Sequence, residues 1–138
     1  MSSEVYTARM GYRGKDWLDV TRASKVEPNN PGGHLGIGLA FAPSQKLLNY
    51  YLERKRGAGI TDADWEEYAG NYTREMRESY RQSRPAWDQL LARGRVVLLC
   101  FCVDPLRCHR TILGQKILPK LGATYLGEIS RRDPARSI

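Results

Sequence analysis

The stretch RVVLLCFCVDPLRCHRTILGQKILPKLG, residues 95–122, constrains the fold more than any other part of the chain. Val96 to Phe101 is a continuous apolar, β-rich run of the kind buried on both faces of a parallel sheet. Asp104-Pro105 then reads as a helix start, because Asp is a good N-cap and Pro is tolerated at the first helical position. Ile112, Leu113, Ile117, Leu118 and Leu121 recur at helical spacing and give that helix an apolar face, with Gly122 as its stop. Thr124 to Ile129 reads as the next strand. Strand, loop, helix and strand in this order form the unit that builds a parallel sheet by a right-handed crossover.

The same stretch holds all three cysteines of the chain and one of its two histidines. Cys102 falls at the carboxyl end of the strand and Cys108 in the first turn of the expected helix. Open α/β sheets bind ligands at that edge. A helix N-terminus there, with Arg107, His109, Arg110 and Thr111, would lower a thiol pKa and attract an anion. Cys102, Cys108 and His109 are therefore the candidate catalytic residues, and Arg107, Arg110 and Thr111 the candidate anion-binding ones.

Upstream, Val5 to Met10 and Trp17 to Thr21 read as two further strands, with Asp19 expected in a structural or edge role. Residues 22–43 form a long segment rich in Gly, Asn and Pro. It reads as a loop, with His34, Gly36 and Gly38 as candidates for a lid over the cysteine edge. Its glycines lack the order of a dinucleotide loop and the lysine of a P-loop. Ser44 caps an expected helix over Gln45 to Arg54, and Thr61-x-x-Asp64 resembles a capping box for a helix to about Arg81. Trp65, Tyr68, Tyr72, Met76 and Tyr80 form a stripe at helical spacing, which reads as core. The opposite face, with Glu67, Arg74, Glu75, Arg77 and Glu78, reads as solvated. A short helix from Ala86 to Arg93 ends at Gly94.

The expected architecture is a single small Rossmann-like α/β domain over residues 1–130, followed by a basic tail at 131–138. A mainly parallel sheet of four strands or so is covered by a similar number of helices. The 138-residue length suits one domain. There is no apolar run of membrane-spanning length and no signal-like N-terminus, so a cytoplasmic protein without a membrane partner is expected. The sequence specifies no oligomeric state. Three clustered cysteines do not make a disulfide framework. The net charge of +7 suggests an anionic partner, a phosphate-bearing small molecule or nucleic acid.

LLCFCVDPLRCHRTIL followed by LGATYLGEI resembles the bacterial and phage family called domain of unknown function 488. AFAPSQKLL at 40–48, the aromatic run at 65–76 and WDQLLARGRVVLLC at 87–100 agree with it. The resemblance implies a small α/β fold with the C-x-C…C-H-R block at a strand-to-helix edge, and Cys102, Cys108, His109 and Arg110 at hallmark positions; it implies no settled activity.

Three chemistries remain open. The first is an enzyme or binding module for a phosphate-bearing ligand, in which His109 moves protons. The second is a cysteine-dependent sulfurtransferase-like or phosphatase-like enzyme, because Cys102 and Arg107 have the C-x4-R spacing of rhodanese-like loops. The internal glycine and the hydroxyl residue of those loops are missing here. The third is a metal site: Cys100, Cys102, Cys108 and His109 make a formally adequate zinc set. Adjacent Cys108 and His109 would point to different sides of a helix, however, and the spacing is not a familiar zinc knuckle. No cofactor is expected, with zinc as the alternative. Cys100 is expected to serve only as a small buried hydrophobe.

Overall fold

A computed structural model describes residues 3–21, 37–102 and 104–129. His34 and Gly36, most of the 22–43 loop and the tail at 131–138 lie outside the described residues.

Four strands form one parallel sheet in the order β2-β3-β1-β4. They are β1 (Glu4–Arg9), β2 (Trp17–Asp19), β3 (Arg95–Cys100) and β4 (Thr124–Ile129). β3 lies between β1 and β2, in register from Glu4↔Arg95 to Arg9↔Cys100 and from Trp17↔Val97 to Asp19↔Leu99. Two-sided pairing and two covered faces explain its unbroken apolar run: Val96, Val97 and Leu98 are wholly buried. β4 is an edge strand, joined to β1 with an irregularity at Val5/Tyr6.

The helices are α1 (Gln45–Arg56), α2 (Asp62–Gln82), α3 (Arg84–Leu91) and the short α4 (His109–Thr111). α2 begins with the expected capping box: Thr61 Oγ1 accepts from the Asp64 N–H at 3.0 Å, and the Asp64 carboxylate accepts from the Thr61 N–H at 3.1 Å. Ser44 caps α1 and also donates to Glu75, so Glu75 ties α2 to α1 instead of facing solvent as its stripe suggests. Among the described residues no helix is long and apolar enough to cross a membrane.

Among the described residues, α1, α2, α3 and the helical turns from Ile112 to Leu121 pack on one face of the sheet. Their buried residues, from Leu47 through Tyr68, Tyr72, Met76, Trp87 and Leu90 to Ile112, Leu113 and Leu118, form one cluster with Val5, Leu18, Val96 and Leu98. The other face carries a smaller cluster of Ala8, Tyr12, Val97 and Leu99, with no helical member among the described residues.

The helix expected from Pro105 to Leu121 is broken into pieces. A 3-10 turn (Pro105–Arg107) is followed by Cys108 in extended backbone, φ −144° and ψ 143°. Then α4 runs into a π-helical turn (Ile112–Ile117) and a 3-10 turn (Leu118–Leu121), ending at Gly122 in the left-handed region. Gly114 shows what the π turn achieves. A Cβ there would lie 3.1 Å from Thr7 Cγ2 and 3.3 Å from the Tyr125 ring, so a side chain on this turn would press β1 and β4 back by a few tenths of an ångström.

Candidate functional site

The chain turns sharply where β3 ends, and three sulfurs meet there. Cys100 closes the strand, Cys102 lies two residues beyond it, and Cys108 stands just before α4. Their Sγ atoms all lie within 4.8 Å of one another, with Cys100 and Cys102 3.8 Å apart. Cys100 and Cys108 are buried and Cys102 is half-buried. Cys100, expected to be packing alone, is thus a member of the cluster.

His109 is sealed behind the sulfurs. Its Nε2 lies 2.8 Å from the Val20 carbonyl oxygen and its Nδ1 3.7 Å from Cys100 Sγ. A carbonyl oxygen only accepts, so Nε2 carries the hydrogen and Nδ1 turns a lone pair to the cluster. Burial pushes the His109 pKa below its ordinary value, more than the Val20 bond raises it. The imidazole is neutral, and one of its nitrogens is already committed.

Arg110 is wholly buried, against the expectation of an anion-binding arginine. Its guanidinium donates to both Glu128 carboxylate oxygens, at 3.1 and 2.9 Å, to the Cys102 carbonyl at 2.9 Å and to Cys108 Sγ at 3.2 Å. Burial opposes its charge, yet the bonds to Glu128 hold its pKa above the ordinary value. It buttresses the sulfur cluster from inside. Thr111 does not line the pocket either; its buried hydroxyl finds no hydrogen-bond partner among the described residues. At the turn itself, the Leu106 N–H donates to the Asp104 carboxylate at 2.9 Å and the Arg107 N–H to the Asp104 carbonyl at 3.2 Å, so these two are not free for a ligand.

The sulfurs ionise unequally. Hydrogen bonds from Cys102 and then Cys108 hold the Cys100 thiol well below the ordinary thiol range, against the cost of burial and with help from Arg110. The hydrogen bond to Cys100 raises Cys102, and burial raises Cys108.

Above the cluster opens a pocket of about 300 Å³. Cys100, Cys102, Cys108 and His109 form its floor. Tyr51, Trp65, Tyr68 and Phe101 form aromatic walls, and Lys55 and Arg107 line its edge. Trp65 stacks on Tyr68 with centroids 5.2 Å apart, and Tyr51 tilts against Tyr68 at 4.9 Å. Burial raises the pKa of Tyr68 and of Tyr51, so both phenols stay protonated. Arg107 is only partly free: it donates to the Ile60 carbonyl at 2.7 Å and pairs with Asp62. The two ends of the 22–43 loop region also reach the pocket, through Thr21 and Pro43. Asp19 fixes Thr21 by accepting from its N–H at 2.9 Å and its hydroxyl at 2.7 Å, a structural role as expected. Gly38 departs from the lid expectation, since it is buried at the start of a 3-10 turn (Gly38–Phe41) and does not line the pocket.

Two features were hidden in the sequence. Phe101 belonged to the expected buried strand, yet β3 stops at Cys100 and Phe101 is 61% exposed. Trp65 and Tyr68 belonged to the core stripe, but they also face the pocket.

Fold and site together define a small, parallel α/β protein with a cysteine-floored aromatic pocket at the carboxyl edge of its sheet. Residues 38–121, more than half the chain, match the family model described as the active DUF488-N3 subclade. The chain belongs to the DUF488 family. No curated protein and no solved structure matches it.

Proposed function

We propose that this protein is a cytoplasmic enzyme or binding module that takes a nucleotide, free or as an unstacked residue of nucleic acid, into the pocket above the sulfur cluster. The observation that carries the reading is the pocket's composition. Flat aromatic walls, including the 61%-exposed Phe101, stand over a polarizable sulfur floor and beside Lys55 and Arg107. A base stacks on aromatic side chains for about 1–3 kcal/mol each and tolerates many base identities. A phosphate is held at the edge by cations, and the chain's net charge of +7 favours its approach. The volume of about 300 Å³ lies at the small end of ligand sites, suited to one base and not to a stack of several.

The roles differ from those suggested by spacing alone. Arg107 and Lys55 face the ligand's phosphate, while His109 belongs to the floor beside the sulfurs and Arg110 supports that floor from behind. Direct nucleophilic attack by Cys102, the most accessible thiol, is disfavoured because its pKa is raised. The matched subclade is described as active, which favours an enzyme over a passive binder.

The test is equilibrium binding of nucleoside monophosphates and of a short labelled single strand across a salt series, with wild-type, Lys55→Gln and Phe101→Ala protein. The reading predicts saturable binding that weakens with salt, a smaller salt slope for Lys55→Gln and weaker binding by Phe101→Ala. Binding of the monophosphate alone assigns a free nucleotide; binding of the strand alone assigns nucleic acid. No saturable binding by either, or binding indifferent to both substitutions, would overturn it.

A further inference from the structure

The sulfur cluster has the dimensions of a metal site. A tetrahedral zinc ion with Zn–S bonds of about 2.3 Å places its sulfurs about 3.8 Å apart. Cys100 and Cys102 are 3.8 Å apart, and all three sulfurs lie within 4.8 Å. A nitrogen and a sulfur on the same zinc stand about 3.6 Å apart by the same geometry. His109 Nδ1 lies 3.7 Å from Cys100 Sγ.

The surroundings have the matching chemistry. Metal-bound histidines give their second ring N–H to a carbonyl or carboxylate, which fixes the tautomer. His109 meets the Val20 carbonyl with Nε2 at 2.8 Å, leaving the Nδ1 lone pair toward the sulfurs. Three thiolates and a divalent cation leave one net negative charge, and a wholly buried guanidinium meets it: Arg110 Nη1 lies 3.2 Å from Cys108 Sγ. Glu128 holds that guanidinium in place from the other side. The objection raised by the sequence, that neighbouring Cys108 and His109 diverge around a helix, does not apply. Cys108 is in extended backbone and the helix starts after it.

We propose that Cys100, Cys102, Cys108 and His109 Nδ1 bind one zinc-class divalent ion at the floor of the pocket. The ion ties the end of β3 to the start of α4. The proposal stands apart from the nucleotide reading, because the aromatic walls, Lys55 and Arg107 that would stack a base and hold a phosphate are not among its four ligands.

The full chain, purified reduced and without chelator and then loaded with zinc, is analysed for metal content; cobalt is added to the reduced apoprotein in parallel. The expected results are about one zinc per chain and a thiolate-to-cobalt charge-transfer band in the near ultraviolet. Cys102→Ser, at the half-buried position least needed for folding, should lower zinc affinity in chelator competition by about tenfold or more and weaken the band by about a third. His109→Gln should lower affinity while keeping the full thiolate band. Less than about half an ion per zinc-loaded chain, absence of the cobalt band, or wild-type affinity in Cys102→Ser would overturn the proposal. Nucleotide binding measured on the same samples separates the readings: binding without metal sinks the metal site alone, and metal without binding sinks the nucleotide reading alone.

Discussion

One aromatic stripe on α2 has two fates. Toward its carboxyl half, the buried Tyr72 and Met76 and the half-buried Tyr80 pack with Phe41 and Trp87 in the core, beside a second cavity of about 440 Å³ lined in part by Met76, Tyr80 and Trp87. Phe41 and Trp87 pack edge-on at 4.8 Å, and Tyr80 packs on Trp87 at 5.5 Å. Two polar handles there are used: the Tyr72 hydroxyl donates to the Phe41 carbonyl at 2.6 Å and the Trp87 indole to Ser79 Oγ at 3.0 Å. Toward its amino half, Trp65 and Tyr68 face a pocket with sulfur at its floor. Helical periodicity selects the same face in both halves. What lies opposite differs: the buried Trp87 indole packs against the stripe at one end, and the end of β3 with its three sulfurs faces it across a pocket at the other.

Substitutions break or sharpen this contrast. The largest effect belongs to the Trp87 end. Trp87→Ala should cost about 3–5 kcal/mol in urea unfolding, from lost burial and the cavity left behind, with the pocket's ligand preference unchanged in the surviving folded protein. Glu128→Ala acts at the open end from inside. It strips the buried Arg110 of its carboxylate and should cost about 3 kcal/mol, while Glu128→Gln keeps one hydrogen bond and costs less. Phe101→Ala should reverse the pattern seen at Trp87. Its ring is mostly exposed, so stability should change by no more than about 0.5 kcal/mol, whereas nucleotide binding should weaken by about 1–3 kcal/mol. Equal losses of stability at positions 87 and 101 would erase the distinction.

The smallest effect concerns the start of α2, which carries Trp65 into the pocket. Thr61→Ala should cost about 1 kcal/mol. Its partner Asp64 is held below the usual carboxylate range by the Thr61 backbone N–H, with the Thr61 hydroxyl and Arg54 adding to it against partial desolvation. A depressed folded pKa means that the unfolded chain binds the proton more readily. The contribution is therefore complete above the unfolded value of about 3.9 and is lost as pH falls through the lower folded value. Thermal melts of wild-type and Asp64→Asn protein should differ at neutral pH and converge in acid.

The sequence carried the fold well wherever neighbours along the chain set the structure. The β3 run, the Thr61–Asp64 box, Ser44 and the Gly122 stop are local signals, and each marks its element to within a few residues. It carried the site less well, because the site depends on distant partners. Nothing near Arg110 announces Glu128, which arrives from β4 and turns a cationic residue inward. The π turn at Ile112–Ile117 sets Gly114 close to Thr7 and Tyr125, and neither neighbour lies in the same segment. The packing of α1, α2 and α3 on one sheet face is likewise a tertiary outcome that periodicity does not encode.

The most direct test of the pocket as a ligand site is a crystal structure of the protein with a nucleoside monophosphate at saturating concentration. The account predicts the base against Phe101, Tyr51 and Trp65, its edge toward Cys102, and the phosphate beside Lys55 and Arg107. A nucleotide bound elsewhere on the molecule, with this pocket empty, would contradict it.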